Sequence, residues 1–297
     1  MEVNMSTDKN RTLWLQWRKS GIGSSDAAAI HNESPYMTPL ELYEEKFVNQ
    51  TVVEESNYIL ERGNQLEPVA RKLFAADYNM THGTDETFDP ENFELKEAPF
   101  MRTSTDGASK NKKKGIEIKF QGAEAHEAIK DGKVARHYWI QCQHHLIVAG
   151  FESIFLISYN PKAENKIYWT EIKLDVEWAQ KHVDACALFW VNGKKGIPPE
   201  PTRDDFVMLK KSGMSDKAKE LAKLKKIIDD ATDVYDRLKK EIEAELTHPK
   251  MRVGPIRFTE VERQGAIDYK KVPELKGVNL ELYRKAGSKY YKMTVEE

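Results

Sequence analysis

The 297-residue sequence has only two cysteines, Cys142 and Cys186, too few for a disulfide framework. It contains no apolar run near the roughly 18 residues that a membrane-spanning helix requires. The opening segment, MEVNMSTDKNRT, is polar and lacks the apolar stretch of a secretory signal. No charge dominates either: 46 basic residues stand against 48 acidic ones, for a net charge of −2. That balance excludes a surface coated in positive charge. It does not exclude a local basic groove beside an acidic site, because the two signs cancel in the sum. These absences predict a soluble, cytoplasmic protein without membrane association. What is present, 40% hydrophobic and 32% charged residues, suits a chain able to bury a core of its own.

Leu13, Trp14 and Trp17 fall at helical spacing within residues 10–19, and a Gly-Ile-Gly-Ser-Ser-Asp turn follows. Asp26 to Ile30 reads as a short Ala-rich helix. Thr38-Pro39 reads as an N-cap with proline in the first turn of the next helix. A further helix is predicted over residues 56–78, with a kink or a new start at Pro68. From Phe88 the pattern changes. Residues 100–106 and 115–120 read as strands joined by a basic loop, residues 126–150 as one helix, residues 153–159 and 166–173 as strands, and residues 176–192 as a helix. This order predicts an α/β (α+β) core, a central mixed sheet flanked by helices. Pro198, Pro199 and Pro201 mark a boundary. Beyond it Leu221, Leu224, Ile228, Ala231, Tyr235, Leu238 and Ile242 recur in steps of three and four, a heptad-like seam in a long charged helix. Residues 256–262 and 290–295 are short β-like runs in a small tail. The predicted divisions are residues 1–205, 206–250 and 251–297.

The chemistry is concentrated between Asp106 and Lys119. Residues two apart in a strand share a face, so Glu117 and Lys119 project together while Ile116, Ile118 and Phe120 face the other way. A short loop at residues 110–115 folds Asp106 back beside them. Two acids and one amine then converge at one edge of an apolar sheet, a setting for hard oxygen ligands around Mg²⁺. A divalent ion there activates water and stabilises charge growing on a phosphate.

Five stretches extend this pattern: WRKSGIGSSDAA at 17–28, RGNQLEPVARKLF at 62–74, STDGAS at 104–109, GIEIKF at 115–120 and HYWIQCQHHLIVAG at 137–150. In that order they resemble the lambda exonuclease / YqaJ-type viral recombinase family, a branch of the PD-(D/E)XK nucleases with a restriction-endonuclease-like core. Thr105 stands where the family name has proline. The resemblance implies that Asp106, Glu117 and Glu67 hold metal, two Mg²⁺ ions per site with Mn²⁺ able to substitute, and that Lys119 and Gln141 complete the catalytic set. It implies that Arg18 and Ser25 hold the 5′-phosphate of DNA. It further implies a 5′-to-3′ exonuclease that degrades one strand of double-stranded DNA from its ends during recombination by single-strand annealing. The partners so implied are double-stranded DNA ends, a ring-like homo-oligomer such as a trimer, and a single-strand annealing protein of the RecT/Bet type, in a bacterial host carrying a phage or prophage. Two rivals are an endonuclease of the same superfamily and a non-catalytic DNA-binding module.

Several residues have plainer readings. Glu67 can pair with Arg62 or Arg71 on its own helix. Gln143, two positions from Gln141, points elsewhere. His137, His144 and His145 read as solvated or DNA-facing, because no cysteine or carboxylate near them completes a zinc set. Cys142 reads as a small buried residue. Lys110, Lys112, Lys113 and Lys114 form either a soluble hairpin tip or a phosphate-contacting loop.

Overall fold

The computed structural model describes residues 13–49, 58–208, 211–262, 268–269, 272–275 and 277–279. The chain forms two compact units, Met1–Val207 and Met208–Glu297. No described helix is long and apolar enough to cross a membrane.

The first unit begins with α1 (residues 13–19), α2 (Ala27–Ile30) and α3 (Pro39–Tyr43), the last running on into a π turn at Glu44–Val48. Thr38 caps α3 as the sequence predicts. Its hydroxyl accepts from Glu41 N at 3.1 Å, and the Glu41 carboxylate accepts from Thr38 N at 2.8 Å, a complete capping box. Helix α4 (Tyr58–His82) runs through Pro68 without a break, so the expected new start is absent.

Five strands form one mixed sheet in the order β1 (Phe88–Leu95), β2 (Ala98–Ser109), β3 (Lys114–Phe120), β4 (Ser153–Tyr159) and β5 (Ile167–Ile172). All neighbours are antiparallel except β3 and β4, which are parallel. The crossover between those two holds α5 (Ala123–Lys130) and α6 (Arg136–Ala149). The single helix expected over residues 126–150 is therefore two. Gly132, at φ +70°, and the Asp131 turn break it, a conformation that side chains with a Cβ rarely adopt. Helix α7 (Val176–Lys194) follows β5.

Strand alternation sorts the β3 side chains between two layers. Ile116 and Ile118 pack with Phe155, Ile157 and Tyr159 of β4 against Ala70, Phe74 and Tyr78 of α4. On the opposite face Ile154 and Leu156 of β4 meet Cys142 and Leu146 of α6 and Ile129 of α5. A third cluster joins Ile22, Leu42 and Met101 to Cys186 and Phe189 of α7. The N-terminal helices are thus fixed to the sheet margin by Ile22, whose N–H donates to Phe100 O at 2.6 Å and whose carbonyl accepts from Arg102 N at 2.9 Å.

The second unit contains α8 (Met214–Ala244) and a hairpin of β6 (Lys250–Val253) and β7 (Ile256–Thr259) turning at Gly254. Strand β7 falls within the predicted run at residues 256–262. The other predicted run, residues 290–295, lies outside the described residues. None of the α8 residues is buried in the described structure.

Phe74 contacts Tyr78, Phe88, Phe155 and Trp169 and is fully buried. Phe74→Ala is expected to destabilise the first unit by about 3–5 kcal/mol. Urea unfolding measures it, and a loss below about 1 kcal/mol would mean α4 is not packed on the sheet.

Candidate active site

The β2–β3 ladder stops after two pairs, Gly107 with Ile116 and Ala108 with Gly115. Beyond it Asp106 takes over a ladder contact: its Oδ2 accepts from Ile118 N at 2.6 Å. Its main-chain oxygen accepts from Arg71 Nε at 2.6 Å. The reversal places Asp106 beside Glu117, as the sequence spacing predicts. The site is nevertheless not at a sheet edge. Strand β3 is the central strand, and Glu117 is only 4% exposed, covered by α6.

Three groups hold the Glu117 carboxylate. Oε1 accepts from Gln141 Nε2 at 2.8 Å and lies 2.7 Å from Lys119 Nζ; Oε2 accepts from His145 Nε2 at 2.9 Å. Thr103 Oγ1 lies 2.6 Å from His145 Nδ1, so the ring is held at both nitrogens. Burial pushes the Glu117 pKa upward, but Lys119 and His145 outweigh it and bring it down to about 2. Burial likewise works against the Lys119 ammonium, and Glu117 reverses that, raising its pKa. Asp106 behaves in the opposite way. Burial, then the charges of Glu117 and Glu67, hold its carboxyl well above the usual range. Glu67 is raised too, by burial first, although Arg71 beside it pulls the other way.

All seven residues singled out in the sequence line one pocket of about 550 Å³: Arg18, Ser25, Glu67, Asp106, Glu117, Lys119 and Gln141. Arg18 donates from its guanidinium to Ser25 Oγ at 2.6 Å, and Trp14 lies 5.5 Å from that guanidinium. The loop between them is fixed from beneath. Asp26 accepts from Gly23 N at 2.8 Å and pairs with Lys46 at 2.7 Å, both acid and amine nearly inaccessible. Arg102 donates to Trp17 O and Ser20 Oγ and lies 5.0 Å from the Trp17 ring. A Cβ at Gly21 would come within 2.2 Å of Arg102 Nε, so only glycine allows that close approach.

Other expectations divide. Glu67 does pair with Arg71, yet it also faces the pocket. Gln143 points away, donating to Lys173 O and accepting from Asp175 N. Cys142 is fully buried, as expected. The basic loop does not line the pocket: Lys112 pairs with Glu91, Lys113 with Glu152, and Lys114 lies over Tyr78.

The histidine expectation is corrected. His144 and His145 are completely buried, and His137 is half-buried. His145 belongs to the Glu117 set, a role invisible until α6 is docked against Thr103. His144 lies near Cys186 through His182, so the fold does supply a cysteine; these three are the one group of three or more His, Cys, Asp and Glu among the described residues whose donor atoms all lie within 4.8 Å of one another. Hydrogen bonds already occupy their ring nitrogens. His144 Nε2 bonds Arg102 O at 3.1 Å, His144 Nδ1 meets His182 Nε2 at 2.8 Å, and His182 Nδ1 meets His31 Nε2 at 2.8 Å. Burial lowers the pKa of His144 to about 4 and that of His182 to about 2, so both rings are neutral.

With this geometry in view, residues 13–152 match the family model of the YqaJ-like viral recombinase domain. The matched stretch is similar to that domain over 140 of the 297 residues, just under half of the chain. It contains all five motif stretches and all seven residues above. The chain is also 27% identical over 188 residues to the uncharacterized protein YqaJ of Bacillus subtilis (strain 168), covering 62% of this chain and 57% of that protein. The chain thus spans little more than half the length of this curated relative. Among solved structures it is similar to the alkaline exonuclease LHK-Exo from Laribacter hongkongensis, with a TM-score of 0.52 and 23% identity over 63% of this chain and 94% of the other. The same protein in complex with dAMP matches with a TM-score of 0.52 and 24% identity. These likenesses establish the fold of the YqaJ-like unit.

Two outcomes test the electrostatics. The raised Asp106 pKa means that ionising this group opposes folding above its ordinary value near 3.8. Asp106→Asn is therefore expected to raise the melting temperature in chelator at pH 8, by an amount that shrinks as the pH falls towards 4. No gain at pH 8 would contradict the crowding of the three carboxylates. The depressed Glu117 pKa has the opposite sign: its stabilisation is present above about 4.5 and lost as the pH falls towards 2. His145→Ala removes one donor from this buried charge, at a cost of roughly 1–3 kcal/mol at pH 7. Urea unfolding should show that loss, with His145→Gln, which retains a donor, recovering part of it.

Proposed function

We propose that the chain is a metal-dependent exonuclease that degrades one strand of double-stranded DNA from its 5′ end. The observation that carries this reading is that Glu67, Asp106, Glu117 and Lys119 line one pocket together with the Arg18–Ser25 pair. The donor set fits a hard divalent cation. Three carboxylates line the same pocket, and Asp106 and Glu67 are both pushed towards protonation, by burial first and then by the charge of Glu117. Asp106 Oδ1 accepts no hydrogen bond from any described residue and is available as a ligand. Asp106, Glu117 and Glu67 would hold the ion or a pair of ions, Mg²⁺ or Mn²⁺. When bound, such an ion supplies Lewis acidity and lowers the pKa of its water.

The side chains divide the remaining work. Lys119 keeps its proton, because Glu117 stabilises the ammonium, so it serves as a donor and not as a base. It can orient a water or offset charge on the phosphate being cleaved. Gln141 and His145 hold Glu117 in a single orientation. In the same pocket the Arg18 guanidinium and the Ser25 hydroxyl present a fork and a donor suited to a terminal phosphate. Trp14 and Trp17 add ring surfaces to the pocket wall, on which an unpaired base can stack.

The Arg18–Ser25 pair favours end-directed cleavage over internal cleavage, since a terminal phosphate monoester carries charge that an internal diester lacks. The family resemblance further supports a ring-like homo-oligomer around DNA, a role in recombination by single-strand annealing, and an annealing protein as partner.

The test is digestion of linear duplex labelled separately at its 5′ and 3′ ends, beside closed circular plasmid. Mononucleotides should appear from the 5′ label first, circles should persist, and chelator should stop release. Lys119→Ala should reduce the rate by about 10²–10³-fold. Digestion of closed circles would favour the endonuclease, and inertness with both Mg²⁺ and Mn²⁺ would favour a binding module.

A further inference from the structure

Helix α6 brings a third side chain to the centre besides its two donors. Tyr138, Gln141 and His145 follow in steps of three and four, so they lie along one face of the helix. Gln141 and His145 meet Glu117. Tyr138 meets Lys119: the ammonium stands 5.0 Å from the centre of the tyrosine ring, and that ring lines the same pocket. The ring is itself held. It is half-buried against the cluster of Ile129, Cys142 and Leu146, the His137 ring lies across it at 4.0 Å, and its hydroxyl shares a hydrogen bond with Tyr36.

Glu117 is an insufficient hold for this ammonium once the same carboxylate serves as a metal ligand. A carboxylate offers about four lone-pair positions. Gln141 and Lys119 share Oε1, and His145 takes a position on Oε2. A divalent cation on Glu117 draws on the charge that attracts Lys119 and repels the ammonium directly. The lysine stem is flexible, so a weakened partner lets the charge wander. The face of the Tyr138 ring stands outside that competition, because hard cations take oxygen ligands. It attracts an ammonium whether or not Glu117 is engaged.

We propose that Tyr138 is a positioning residue for the cleavage reaction, its ring face keeping the Lys119 ammonium at the pocket when Glu117 holds metal. The role rests on the nuclease reading above. It acts through Lys119 and requires an aromatic face at position 138, with the hydroxyl serving only to steady the ring through Tyr36.

Rates on 5′-labelled linear duplex with Mg²⁺ supply the first test. Tyr138→Leu fills the space without a π face and is expected to lower kcat about 3–30-fold, with KM for duplex ends kept within about twofold. Tyr138→Phe should recover the rate to within about threefold of wild type. Phenylalanines carrying one, two and three ring fluorines at this position have nearly the same shape and a progressively weaker face. The rate should fall stepwise along that series, an order that packing alone would not produce. In a Lys119→Ala background, Tyr138→Leu should cost nothing further. A second readout needs no activity. In protein labelled with carbon-13 at lysine Cε, the signal that disappears in Lys119→Ala should carry a ring-current shift with and without Mg²⁺, and should lose it in Tyr138→Leu. Equal rates along the fluorinated series, or a Lys119 signal that loses its shift when Mg²⁺ is added, would overturn the positioning role. A wild type inert with Mg²⁺ and Mn²⁺ would overturn the nuclease reading and this role with it. An active wild type with an unshifted Lys119 signal would overturn this role alone.

Discussion

A carboxylate in the middle of a sheet is costly unless its charge is met, and the first unit is organised around that requirement. Glu117 is nearly inaccessible, and three side chains from two elements reach it. Lys119 comes from its own strand, two residues on. Gln141 and His145 come from α6, four residues apart on one helical face. This single charge therefore fixes the rotation of α6 relative to β3, because turning the helix by one residue would withdraw both partners together. Thr103 extends the constraint to β2 by holding the far side of the His145 ring. Asp106, displaced from the ladder, is left with the charge repulsion that Glu117 escapes. Two acids of similar chemistry thus have opposite protonation tendencies, a separation typical of sites where different groups take different roles.

The loop that carries Ser25 into the pocket is held by means that are equally specific but different in kind. The Gly-Ile-Gly-Ser-Ser-Asp loop has little secondary structure of its own. It is held by the Asp26–Lys46 pair, by the Ile22 contacts to β2 and by the Arg102 guanidinium. Loops that carry reactive groups need this kind of support, since their own backbone supplies little rigidity. Arg102 and Thr103, adjacent on β2, point to opposite faces of the strand. One steadies the loop and the other steadies His145, so a single short stretch of β2 supports both the loop and the Glu117 carboxylate.

Much of this was legible in the residues. The alternation of GIEIKF separates Glu117 and Lys119 from Ile116 and Ile118, and the Thr38-Pro39-x-Glu41 cap is a local signal that needs no tertiary context. Strand β1 was not legible. Its sequence, FDPENFEL, is acidic and contains Pro90, which argues against a central strand. It is an edge strand, and Pro90 falls where the pairing with β2 shifts register between Asp89 and Glu91, a place where a missing N–H is tolerated. The α5–α6 break did have a local signal in Asp131-Gly132, hidden by the apolar periodicity on either side of it. The place of His145 had none. Nothing local distinguishes it from His144, and only the docking of α6 over β3 sends one ring to Glu117 and the other to His182. The long seam of α8 was legible as a pattern but not in its outcome, because periodicity shows that a face is apolar without naming what covers it.

The file of imidazoles from His31 through His182 to His144 sets an acid boundary for the fold. Each ring is neutral in the native state, with the inner two unable to take a proton until far below the ordinary imidazole range. In the unfolded chain the same rings accept protons near 6.5. Between those limits the unfolded state binds more protons, so acidification steadily favours it. The contact between α6 and α7 is therefore the seam at which acid should first loosen this architecture, well before the Glu117 carboxylate loses its charge.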